Sequence, residues 1–105
     1  MTLTDLYSIL CETLLPVAYQ GFKPEENIKL PCITYAEAFS DNFGADNFVY
    51  SPFTRVDIFF WEETMGAEKT LEDVLQAHKI YWEKTITWMN DEKCYQIIYE
   101  VTINA

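Results

Sequence analysis

The stretch "CITYAEAFSDNFGADNFVYSPFTRVDIFFW", Cys32–Trp61, decides the fold. At its two ends apolar residues recur every second position. Ile33, Tyr35 and Phe39 share one side, with Glu37 as the exception; Val56, Ile58 and Phe60 then alternate with Arg55, Asp57, Phe59 and Trp61. A period of two is the mark of β-strands. Between them, "SDNFGADNFVYSPF" (Ser40–Phe53) carries Asp41, Asn42, Gly44, Asp46 and Asn47, residue types that tolerate the left-handed backbone of a hairpin turn. Pro52 cannot donate to a central ladder and belongs on an edge or at a bulge. The stretch therefore predicts two strands joined by a long β-hairpin arm.

Working outward, "TLTDLYSILCETLL" places Leu3, Leu6, Tyr7, Leu10 and Leu14 on one helical face. Thr2 or Thr4 can cap the start, Asp5 suits the first turn, and Pro16 stops the helix. The segment with Pro16, Gly21, Pro24 and Pro31 reads as a connector holding one short strand in "PVAYQGF". After the second long strand, "EETMGAEKTLEDVLQAHKI" returns to the helical period, with Ala67, Leu71, Val74, Leu75 and His78 on one stripe. Glu62 and Glu63 precede that helix and Lys79 follows it, both favourable to its dipole. "YWEKTITWM" and "CYQIIYEVTI" are two more strands, joined by a turn at "NDEK"; Tyr95, Ile97, Tyr99, Val101 and Ile103 point inward, and Gln96, Glu100 and Thr102 outward. The order is α-β-β-β-α-β-β: a single α+β domain over 1–105, an antiparallel sheet packed against two helices.

Composition limits the function. A chain of 105 residues has room for one core, and at this size it buries about two-thirds of its unfolded surface. Seven Phe, seven Tyr and three Trp will not all fit inside, so some aromatics are left for a partner. A net charge of −10, with no basic patch, repels phosphate backbones and anionic lipid. The N-terminal sequence lacks the basic and small-residue features of a secretory signal, and no apolar run approaches the ~20 residues of a membrane-spanning helix. Cys11, Cys32 and Cys94, widely spaced and odd in number, read as free buried thiols in a reducing cytoplasm, not as a disulfide framework or a metal pair.

Chemistry finds little support. An EF-hand loop starting at Asp41 would need Gly at its sixth position and Glu at its twelfth; Gly44 falls at the fourth and Pro52 at the twelfth, so no metal site is expected there. His78 is the only histidine, and three glycines leave no phosphate-cradling loop. Neither a Ser nor a Cys sits in a nucleophile elbow. The adjacent acids Glu25-Glu26, Glu62-Glu63, Glu72-Asp73 and Asp91-Glu92 read mostly as solvated turn and helix-start residues. No enzyme and no cofactor are expected. The aromatics say more. Phe43, Phe48, Tyr50 and Phe53 lie in a crown that a small body will not cover, and aromatics in a polar setting are common interface anchors. The alternative is that the crown folds back on its own sheet.

The succession "SDNFGADNFVY", "RVDIFFWEE", "AEKTLEDVL", "WEKT" and "EKCYQIIYEVTI" resembles small structural proteins of tailed bacteriophages and of prophages of Gram-positive bacteria. The group is the neck and tail-completion proteins, specifically the tail terminator or tail-to-head joining protein. The likeness spans roughly residues 30 to 103, plus a helix in the corresponding N-terminal place, and lies in element order and local wording. It implies a ring, typically a hexamer, that caps the tail tube and presents a surface to the head connector. The implied partners are further copies of the chain, the tail-tube protein and the connector protein; the implied location is the host bacterial cytoplasm during assembly and then the virion. A closed ring requires a heterologous contact, in which an arm meets a different patch on its neighbour. An acidic lumen would let DNA pass without sticking. The alternatives are another neck role, such as head completion or connector adaptor, and an acidic DNA-mimic inhibitor of a host protein.

Overall fold

The computed structural model describes residues 2–22, 28–38 and 53–104. The element order is α1 (Leu3–Cys11), β1 (Val17–Tyr19), β2 (Cys32–Glu37), β3 (Phe53–Glu62), α2 (Glu68–Ala77), β4 (Trp82–Met89) and β5 (Cys94–Asn104). This is the α+β order expected from the sequence. The strands form one sheet in the order β1-β2-β3-β5-β4.

The strands flanking the Ser40–Phe53 stretch pair antiparallel, with Cys32 opposite Trp61 and Glu37 opposite Val56. The stretch itself lies outside the described residues, apart from the backbone of Phe53, which begins β3. Opposed residues share a face. Ile33, Phe60 and Ile97 therefore lie in one row across the sheet, and Tyr35, Ile58 and Tyr99 in the next. All six are buried, in a single core with Leu6 and Leu10 of α1 and Leu71 and Leu75 of α2. The two helices cover this face alone. Each of the four leucines has no exposed surface, and truncating one to Ala would cost about 2–5 kcal/mol.

The sheet is mixed, not wholly antiparallel: β1 pairs parallel to β2, with Val17 opposite Ile33. A parallel neighbour needs a crossover of about a dozen residues, and the connection from Gln20 to Pro31 supplies it. A three-residue strand carries too short a pattern to announce its direction.

Helix α1 also ends earlier than its apolar spacing implies. Thr2 and Asp5 form a capping box: Asp5 N–H donates to Thr2 Oγ1 at 3.1 Å, and Thr2 N–H donates to Asp5 Oδ2 at 2.9 Å. At the other end, the Thr13 hydroxyl donates to Leu10 O at 2.8 Å, and Leu14 takes a left-handed φ of 64°. Leu14 is consequently 91% exposed, and Ile9 takes a buried place on the helix.

Helix α2 begins without a side-chain cap on its first residue, Ala67. Two carboxylates satisfy its leading amides instead. Glu62 Oε1 accepts from Ala67 N–H at 2.9 Å, and Glu68 Oε1 accepts from Gly66 N–H at 2.6 Å. Glu62 is thus not a solvated helix-start residue: it ends β3 and is 1% exposed.

Candidate assembly interface

The second face of the sheet has two zones. Toward the start of β3 it is charged: Arg55 pairs with Glu100 at 2.9 Å and with Asp57 at 3.7 Å. Toward the end of β3 it is apolar. There Phe59 and Trp61 stack at 6.4 Å between ring centroids, and Trp61 Nε1–H donates to Thr34 Oγ1 at 3.4 Å. The β1–β2 connection passes beside this zone and walls an open cleft of about 710 Å³, lined by Phe22, Leu30, Cys32, Phe59, Trp61 and Cys94, among others. Side chains that the alternating pattern assigns to the outside are therefore apolar at this end.

Both cleft cysteines are buried and free, while Cys11 is half-buried and free. Burial, with the neighbouring Cys94, pushes the Cys32 thiol up to about 11; burial also raises Cys94, together with the charges of Glu92 and Glu63. Thiols held protonated are poor nucleophiles. The cleft offers contact, not catalysis.

The second surface is the edge strand β4. From Glu83 to Thr87 every residue is exposed, and Trp82 and Met89 at its ends are half-buried. On the helix side, Trp82 meets Tyr99 edge-on at 6.2 Å. Lys84 Nζ donates to Glu72 Oε2 at 2.6 Å, and the Tyr99 hydroxyl donates to the same oxygen at 2.7 Å. Further along the strand nothing of α2 covers the row: Ile86 and Trp88 are each 46% exposed. Trp88 rests edge-on against half-buried Tyr95 at 4.8 Å. Thr85–Met89 thus presents an uncharged run of β-branched and aromatic residues on an unpaired edge, the kind of strand that accepts another chain.

The residues singled out in the sequence fall as follows. Phe43, Phe48, Tyr50 and the turn residues Asp41, Asn42, Gly44, Asp46 and Asn47 lie outside the described residues, as does the Phe53 side chain. His78 caps the C-terminus of α2 and pairs with Glu12 at 3.0 Å, an exposed contact between the helix ends. Neither Ile86 nor Trp88 was singled out as an interface residue. The signal for both was a strand whose two sides lack the contrast between charged and apolar seen in β5. Among the described residues, no group of three or more His, Cys, Asp or Glu could hold a metal ion, and no helix is long and apolar enough to cross a membrane.

No protein family, curated protein or solved structure matches the chain.

Proposed function

We propose that this chain is a structural virion protein that caps the phage tail tube and joins tail to head, working as a ring-shaped homo-oligomer, a hexamer by resemblance. The observation that supports an assembly role is the uncovered edge strand β4, with Ile86 and Trp88 exposed on it. A folded domain that leaves Trp and Ile on an unpaired strand edge is poised for association. A terminator needs separate contacts for its own copies, the tube and the connector. The β4 edge and the cleft on the second face are two distinct apolar surfaces of that kind.

The DNA-mimic alternative is less well supported. Mimicry needs acids displayed in register on one exposed face. Here Glu62 and Glu68 are buried, Glu72 is paired with Lys84, Glu12 with His78, and Glu100 with Arg55. Electron microscopy of particles assembled without the protein tests the proposed role. Headless tails of uncontrolled length are the expected result, and heads that leak DNA would reassign the chain to head completion.

A further inference from the structure

The cleft on the second face has no occupant among the described residues, while the aromatic arm has no place assigned to it. We infer that the Ser40–Phe53 arm of one copy docks in the Phe59–Trp61 cleft of a second copy. This rests on the assembly role proposed above and names the two surfaces that meet.

Three observations carry it. The first is chemical match. The arm supplies Phe43, Phe48, Tyr50 and Phe53, and the cleft supplies Phe22, Leu30, Phe59 and Trp61. Aromatic side chains in such a setting bury large areas and prefer edge or offset stacking. The second is charge. The only charged residues of the arm are Asp41 and Asp46. Exposed Lys29 sits between the cleft residues Ile28 and Leu30, and exposed Lys93 between Glu92 and Cys94, so two of the chain's seven basic residues flank the cleft.

The third is reach, which favours a second copy over the chain's own arm. The arm leaves the sheet between Ala38 and Phe53, and Trp61 lies eight residues up β3, roughly 26 Å away at 3.3 Å per residue. Tyr50 stands three residues from Phe53 and can stray only about 10 Å from it. Between them on the same face lie Arg55, Asp57 and Glu100, so an arm folding back would lay its aromatics on an ion-paired zone. A neighbour's arm has neither constraint. A contact between arm and cleft is heterologous, which is what a closed ring requires.

Cross-linking between full-length chains tests this. Phe48→Cys and Gln96→Cys chains, the latter altered on the cleft wall, are purified separately, mixed and treated with a disulfide-forming oxidant. A disulfide-linked pair of two 12.3 kDa chains, formed in the mixture well beyond either variant alone, is the expected result. Phe43→Cys with Thr34→Cys serves as an independent pair should either variant fold poorly. Both substitutions placed in one dilute chain should leave it without an internal disulfide; an internal disulfide there would overturn the inference by showing that the arm fills its own cleft. No disulfide with either pair also overturns it. The mass of the untreated wild-type chain separates the two failures: an oligomer without cross-links keeps the assembly role and discards this contact, whereas a monomer without cross-links discards both.

Discussion

The hydroxyl of Tyr99, on the central strand β5, donates to Glu72 Oε2 on α2 at 2.7 Å, and Lys84 of the edge strand shares that oxygen at 2.6 Å. Tyr99 is fully buried, so this bond fixes helix to sheet where both meet β4. Burial pushes the Glu72 carboxyl up, but the bonds from Lys84 and Tyr99 outweigh it and hold the group below its ordinary 4.5. A carboxylate lowered in the folded state stabilises above its unfolded pKa and loses that contribution as pH falls through the folded one. Tyr99→Phe should cost about 1–3 kcal/mol at neutral pH, measured by urea unfolding, and less in acid, where Glu72 is already protonated. An equal loss at both pH values would contradict the bond's charged character.

Glu62 predicts the opposite slope. Burial, the neighbouring Glu68 carboxyl and its charge push Glu62 up from 4.5 to about 7. Its Oε2 has no partner, and protonation would let that oxygen donate toward Glu68. A carboxyl raised in the folded state stabilises most below its unfolded pKa, and that contribution is lost as pH rises through the folded one. Wild-type chain should therefore lose melting temperature between about pH 5 and pH 8, and Glu62→Gln should flatten that fall. Identical slopes in thermal scans of the two proteins would remove Glu62 from the account.

The β4 edge gives a prediction that separates association from folding. Ile86→Lys with Trp88→Lys places charge on an unpaired strand, the device natural edges use against pairing. Both positions are half exposed, so beyond the Trp88–Tyr95 contact, worth about 0.5–1.5 kcal/mol, the fold should be little changed. Self-association or binding to the tail-tube protein should weaken about tenfold or more, as for other interface aromatics. Sedimentation of the double variant showing undiminished association would exclude the edge as a contact.

Much of the fold was legible because the strands keep a strict period of two. Val56, Ile58 and Phe60 are buried as the alternation requires, and so are Ile97, Tyr99, Val101 and Ile103. One more step of that alternation after Phe60 reaches Glu62, so its burial was present in the pattern, though a Glu-Glu pair before a helix reads locally as solvent-facing. The apolar side chains at Phe59 and Trp61 on the supposed outside were the sign of a second working face. Other features had no local signal. Leu14 keeps the helical spacing, yet the Thr13 hydroxyl ends the helix before it, and the parallel pairing of β1 depends on a crossover that composition does not encode. The arm, the candidate site read first, lies outside the described residues; the cleft and edge emerged only from tertiary placement.

The central claim is assembly, and molar mass by light scattering tests it most directly, with the full-length chain alone and then mixed with the tail-tube protein of the same phage. The account predicts a defined multiple of 12.3 kDa, formed by the chain itself or on addition of the tube protein. A single 12.3 kDa species under both conditions, at concentrations well above micromolar, would contradict it.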